Sequence, residues 1–202
     1  MSVVTRELTR AERGALERHL LALDAEDRRL RFGVALADQA VRDYAARIDF
    51  SRDAVFGVFD DDLRLIGAAH LARAEGYAEL GVSVLPGQRD RGMGGALLER
   101  ARIHARNWGI RTLFVHCLAE NGAMLHLARR QGMRVATEAG EADAYLDLAP
   151  ADPASIAAEL LAERVGLFDF ALKSQFLAAR RLTDALMRPA SGAGSGPGNS
   201  RE

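Results

Sequence analysis

Leu85-Pro86-Gly87-Gln88-Arg89-Asp90-Arg91-Gly92-Met93-Gly94-Gly95, followed directly by Ala96-Leu97-Leu98-Glu99-Arg100-Ala101, reads as a strand end, a glycine-rich turn and a helix. Upstream, Ala78 to Leu85 alternates apolar with small or polar residues, the period of a strand. Downstream, Leu97, Ala101, Ala105 and Trp108 recur at helical spacing until Gly109, the residue type that commonly follows a helix end. Gly92, Gly94 and Gly95 let backbone N–H groups converge, and the helix behind them adds roughly half a positive charge at its N-terminus. The product is an anion cradle suited to phosphate. Arg89 and Arg91 put two positive side chains at the same place.

The chain of 202 residues carries 27 basic and 28 acidic side chains, a formal net charge of −1, so no global basic field points to nucleic acid or an anionic membrane. Hydrophobic residues make up 49%, enough for one domain with a substantial core and an appendage. Cys117 is the single cysteine, which excludes an intrachain disulfide and a multi-cysteine metal cage and fits a reducing cytoplasm. The N-terminus, Met1-Ser2-Val3-Val4-Thr5-Arg6-Glu7, lacks the apolar core of a signal peptide. No run reaches the roughly twenty apolar residues of a membrane span. The expectation is a cytoplasmic protein with no metal, no nucleic acid and no membrane partner.

Arg89-x-x-Gly92-x-Gly94 resembles the acyl-CoA-binding signature of the GNAT superfamily of N-acetyltransferases, (Gln/Arg)-x-x-Gly-x-(Gly/Ala). It differs from the dinucleotide fingerprint, which needs an acidic residue about twenty positions on, and lacks the Gly-Lys-Ser/Thr ending of a nucleotide-triphosphate loop. Asn121-Gly122-Ala123-Met124-Leu125-His126-Leu127-Ala128-Arg129-Arg130-Gln131-Gly132-Met133 resembles the second conserved helix of that superfamily. The likeness covers about residues 3 to 148, and within the superfamily it is nearest to the bacterial protein-lysine acetyltransferase branch. It implies acetyl-CoA as co-substrate, held by Val82, Val84, Arg89, Asp90, Arg91, Gly92, Met93, Gly94 and Asn121. It also implies an α/β fold with a twisted, mostly antiparallel sheet whose central parallel strands splay apart to admit that co-substrate. Ala128 stands where many relatives carry a tyrosine that can protonate the leaving thiolate.

Along the chain, Val3 to Leu8 reads as a first strand, and Thr9 with Glu12 as a capping box opening a helix with Leu16, Leu20 and Leu23 on one face. Asp24 to Gly33 reads as a charged connector whose Arg28, Arg29 and Arg31 suit a solvated helix end better than an anion site, although Phe32 and its neighbours would wall the acceptor site in proteins this one resembles. A helix follows around Asp38 to Ile48, then a hairpin of Ala54 to Asp60 and Leu63 to Ala74, then the strand holding Glu79. Thr112 to Leu118 is a buried strand, Asn121 caps a helix that Gly132 stops, and Arg134 to Thr137 with Ala142 to Leu148 close the sheet. Asp152-Pro153 starts a helical region, read as two consecutive helices, whose stripe of Phe168, Leu172 and Phe176 must be covered. The expected organisation is an acyltransferase domain over residues 1–149, a helical extension over 150–188 and a disordered glycine-serine tail over 189–202. The stripe packs on the domain edge or forms a homodimer contact.

Acyl transfer to an amine needs both partners held, the carbonyl polarised and a proton removed. A lysine amine of pKa about 10.4 is protonated at pH 7, and freeing its neutral form costs roughly 4–5 kcal/mol, so a base matters most for such acceptors. Glu79 is the candidate catalytic base: strand alternation sets it on one face with Gly81 and Ser83, whose small side chains leave room for substrate. It also stands where the resembled lysine acetyltransferases keep a catalytic glutamate. His116 is the second candidate, while His126 falls on an exposed helix face and Cys117 in the core. Asn121 can cap its helix or contact the pantetheine arm. The leading expectation is an acetyl-CoA-dependent N-acetyltransferase acting on a primary amine of a protein lysine or a small molecule. The alternatives are a silent acyl-CoA sensor and an interaction module.

Overall fold

The computed structural model describes residues 3–187, so the expected glycine-serine tail lies outside the described residues. Seven strands form one sheet: β1 (Arg6–Glu7), β2 (Ala54–Phe59), β3 (Leu65–Arg73), β4 (Tyr77–Val84), β5 (Thr112–Leu118), β6 (Arg134–Glu138) and β7 (Glu141–Asp147). Their spatial order is β1-β2-β3-β4-β5-β7-β6, antiparallel throughout except for β4 against β5. That parallel pair has rungs only at Tyr77↔Thr112, Ala78↔Leu113 and Glu79↔Phe114. Beyond Glu79 the strands part: β4 continues on β3 to Val84, and β5 continues on β7 to Leu118. The splay expected from the resemblance is therefore present.

Thr9 and Glu12 make the expected cap, the Thr9 N–H donating to Glu12 Oε2 at 2.9 Å. It opens a short 3-10 turn and then α1 (Arg13–Leu21), with Leu16 and Leu20 buried. The segment expected as a connector is instead helix α2 (Ala25–Phe32). Asp24 caps it by accepting from the Asp27 N–H at 2.8 Å, and Gly33 closes it at a φ of 79°. Its density of charge hides a helix whose start and stop signals are ordinary. α3 (Asp38–Arg47) follows, and α1 to α3 lie on one face of the sheet. α4 (Met93–Asn107) lies on the other, with Leu97, Leu98 and Ala101 fully buried beneath it. α5 (Gly122–Arg130) follows β5.

The C-terminal region is one helix, α6 (Pro153–Met187), not two. Gly166 does not break it; a Cβ there would fall 2.5 Å from the Thr5 carbonyl oxygen, so glycine lets the helix press on the β1 edge. The face that packs inward is mostly polar, with Phe170 set edge-on to Phe59 at 5.1 Å between ring centroids. Arg100 of α4 is 3% exposed and is met by Glu163 at 2.9 Å and Glu159 at 3.3 Å, while Glu159 also takes bonds from His104 and Asn107. Burial tends to raise the Glu159 pKa, but His104, Asn107 and the Arg100 charge outweigh it and hold it at about 2. A buried guanidinium without carboxylates is costly, so α6 turns its acids in and its apolar stripe out. Phe168 and Phe176, expected against the domain edge or in a homodimer contact, are 71% and 68% exposed and so do not pack on the edge.

Candidate active site

The splay opens a cavity of about 680 Å³ between β4, the 88–96 turn and α4 start, α5, and α2 as an outer wall. Successive residues of a strand send their backbone groups to opposite edges. The Leu85 N–H donates to the Ile66 carbonyl on β3, so Val84 and Val82 send theirs the other way, toward the gap that β5 has left. In agreement, the Val84 carbonyl accepts from Arg89 Nε at 3.3 Å. Val82 and Val84 both line the cavity.

At the far end, Asp90 (φ 60°) and Gly92 (φ 77°) take left-handed backbone and turn the chain into α4. Ala96 makes the first backbone bond of that helix, to the Gly92 carbonyl, which leaves the N–H groups of Met93, Gly94 and Gly95 without helical partners. A Cβ at Gly92 would meet no atom within 4 Å, and one at Gly94 only Leu127 at 3.4 Å. Gly92, Met93 and Gly94, expected as a cradle, form this helix entry, with little side-chain bulk over its first N–H groups. The arginines are less free than expected. Arg89 forms an ion pair with Asp27 of α2, and Arg91 donates to Gln88 Oε1 at 3.0 Å. The positive pole of this turn is thus mainly backbone and helix dipole. Asp27 itself is buried, and its Oδ2 has no partner among the described residues.

Asn121 does two structural jobs at the cavity wall. Its Oδ1 accepts from the Met124 N–H at 3.0 Å, and its Nδ2 donates to the Leu30 carbonyl at 3.1 Å, tying α5 to α2. Ala128 is fully buried and presents no hydroxyl.

Glu79 sits on the last β4–β5 rung, exposed, at the point where the strands part but outside the cavity lining. The room expected beside it, over Gly81 and Ser83, is taken. Ser83 Oγ pairs with His19 Nε2 at 2.9 Å, and a Cβ at Gly81 would collide with the guanidinium of Arg31 from α2. His116 bonds Asp143, its rung partner on β7, at 2.8 Å, Cys117 is buried, and His126 is exposed at the cavity rim.

Sequence reasoning missed the polar chain behind Gly81. Arg31 Nη2 donates to Tyr44 Oη at 3.0 Å, Tyr44 Oη bonds His70 Nδ1 at 2.7 Å, and His70 Nε2 faces Asp53 Oδ2 at 3.2 Å. Burial first, and the Arg31 charge second, lower the His70 pKa against the pull of Asp53. A neutral imidazole with its proton on Nε2 satisfies all three bonds in sequence. The four residues come from α2, α3, the loop before β2, and β3, so no local pattern joins them. Among the described residues no cluster of side chains suits a metal ion, and no helix is long and apolar enough to cross a membrane.

The model of the Acetyltransferase (GNAT) family matches residues 19–133 of the sequence. Solved structures share the fold. The GNAT domain of S. lividans PAT superposes with a TM-score of 0.61 at 23% identity, over 71% of this chain and 89% of that one. An N-acetyltransferase from Staphylococcus aureus Mu50 gives 0.58 at 16% identity, over 74% and 100%. Spermidine N-acetyltransferase from Vibrio cholerae, in complex with CoA and spermine, gives 0.58 at 17%, over 72% and 95%. A comparison with curated proteins returns no match.

Proposed function

Because the chain belongs to the GNAT family of acetyltransferases, enzymes that draw on acetyl-CoA, we propose that it acetylates a primary amine where β4 and β5 part. The observation that carries this reading is the unpaired β4 edge beyond Glu79, opening on a cavity closed by the α4 N-terminus. Acetyl-CoA supplies a thioester-activated acetyl group: the amine nitrogen bonds its carbonyl carbon, the carbon–sulfur bond breaks, and CoA leaves as thiolate.

The residues present fit that co-substrate. The outward backbone groups of Val82 and Val84 can pair with the amides of a pantetheine arm, as a missing strand would. The free N–H groups of Met93, Gly94 and Gly95, with the turn from Arg89 through Asp90 and Arg91 to Gly92, suit a pyrophosphate. Asn121 holds the α2 wall against this slot and borders it. The Val82 N–H can also donate to a carbonyl oxygen. Glu79, exposed at the splay, takes the amine's proton directly or through one water. A free thiolate of pKa about 8.5 leaves without a dedicated acid, consistent with alanine at position 128.

The acyltransferase domain in this reading spans residues 1–149 and the helical extension 150–188. For the acceptor, the resemblance of the Asn121 to Met133 block to the protein-lysine branch supports a protein lysine, and the wall of α2 over the splay supports a small molecule. Thiol release from acetyl-CoA with a panel of small amines and a lysine peptide tests the proposal; no release with any acceptor overturns it. The outward stripe of α6 supports a homodimer, whose mass by light scattering falls in the Leu172→Asp, Phe176→Asp double variant.

A further inference from the structure

We infer that Arg31 is a carboxylate-binding residue of the acceptor site, and that the acceptor is an α-amino acid with an aromatic or apolar side chain. This inference rests on the acetyltransferase reading above and names its substrate class.

Arg31 is half-buried and lines the cavity, yet it has no carboxylate partner among the described residues. By contrast Arg6, Arg28, Arg29, Arg89 and Arg100 all do. A sequestered guanidinium without a counter-charge is unusual unless a ligand supplies one. The Tyr44–His70–Asp53 chain fixes one side of the fork through Nη2, and its Cζ lies over the Phe32 ring, 4.9 Å from the centroid. Nη1 makes no protein hydrogen bond among the described residues. A rigid, oriented fork with a free limb matches a carboxylate.

Its place in the site separates this role from holding CoA phosphates. Asp27 meets Arg89 at the phosphate end of the cavity, whereas Arg31, one helical turn on, lies over Gly81. Gly81 is three residues before Val84, about 10 Å along the strand and away from the cradle. Glu79 lies two residues from Gly81 on the same face, about 7 Å away. A carboxylate on Arg31 therefore sets the neighbouring α-amine between the guanidinium and the Glu79 base. The Arg31 charge also lowers the pKa of an ammonium beside it, favouring the neutral nucleophile, and it disfavours a polycation. The rest of the acceptor meets an open aromatic face: Tyr77 and Phe114 have ring centroids 6.4 Å apart, Phe114 and Tyr145 5.0 Å, and the rungs Glu79↔Phe114 and Phe114↔Tyr145 put them on the face of Glu79. The reaction balances as the acetyl transfer above: the α-nitrogen gains the acetyl group and loses a proton to Glu79, and CoA leaves as the thiol after protonation from water.

The test compares phenylalanine with phenethylamine, which differ only in the carboxylate, and with spermidine, following CoA release. The expected result is at least a tenfold higher kcat/KM for phenylalanine than for phenethylamine, with spermidine poorest. Arg31→Gln removes that preference without changing acetyl-CoA affinity by calorimetry, and Arg31→Lys restores part of it. Circular dichroism checks that each variant is folded. Equal or better turnover of phenethylamine or spermidine overturns the inference while leaving the acetyltransferase reading intact. So does an Arg31→Gln enzyme with the same preference, or a loss confined to acetyl-CoA binding. No release with any acceptor overturns both, and calorimetry with acetyl-CoA then reads whether the co-substrate site survives.

Discussion

Asp27 of α2 and Arg89 of the turn after β4 form an ion pair that joins the outer wall of the cleft to the turn that leads into α4. Arg89→Ala leaves the buried Asp27 carboxylate alone, so stability falls by about 1–3 kcal/mol and CoA binding weakens with it. Adding Asp27→Asn to Arg89→Ala removes the stranded charge and recovers most of the lost stability. Thermal melts and calorimetry on both singles and the double check this; independent, additive effects would mean that the pair does not hold the wall.

Gly92 and Gly94 differ in what they demand. Gly92 has a φ of 77°, so Gly92→Val is strained and drags the N–H groups of the α4 start off target. CoA affinity falls at least tenfold. Gly94 is helical, and a Cβ there only touches Leu127 at 3.4 Å, so Gly94→Ala keeps affinity within about twofold while Gly94→Val crowds the wall and weakens binding. Titration calorimetry separates the three.

Glu79→Gln keeps shape and removes the proposed base. Turnover drops by 10²-fold or more, in the usual range for general-base loss, with little change in KM for acetyl-CoA. The deficit shrinks as pH approaches the acceptor's own pKa, where the neutral amine is already present. Wild-type rates at neutral pH would move the base to a water relay.

Gly166→Ala sets two effects against each other. Alanine improves an exposed helix by about 1 kcal/mol over glycine. Here its Cβ would fall 2.5 Å from the Thr5 carbonyl, a backbone atom that cannot swing aside. Overpacking of that kind costs typically 1–3 kcal/mol, so the net is a lower melting temperature and a loosened α6. A stabilised variant would show that α6 does not press on β1.

His19 makes stability depend on mild acid. Burial lowers its pKa to about 4, only partly opposed by its bond to the Leu65 carbonyl, and the Arg31 charge lowers it further. The unfolded chain binds a proton from about pH 6.5 downward while the folded one resists until about 4, so stability is full above 6.5 and falls through that window. The loss reaches on the order of 3 kcal/mol. His19→Gln, measured by denaturant melts at pH 7 and 5, flattens that slope.

The strand, glycine turn and helix around Gly92, the caps at Thr9 and Asn121, the hairpin on either side of Asp60 to Asp62 and the splay implied by the family resemblance were legible in the sequence. Each is a local matter: backbone freedom at one glycine, one side chain reaching three residues on, or apolar residues at a fixed period. Asp24 and Gly33 carried the same kind of signal for α2, obscured by five charged residues between them. Three features needed the folded chain. The α2 wall brings Arg31 onto Gly81, filling space that strand alternation alone left open beside Glu79. Asp53, Tyr44 and His70 meet behind it from separate segments. Buried Arg100 draws the acids of α6 inward and leaves Phe168 and Phe176 on its outer face, which rules out the domain edge as their cover. Sequence patterns determined which elements form, because hydrogen bonds and periodicity act between near neighbours. Which buried charges find partners, and which stay free for a substrate, depends on contacts between distant segments, and only the tertiary structure decided that.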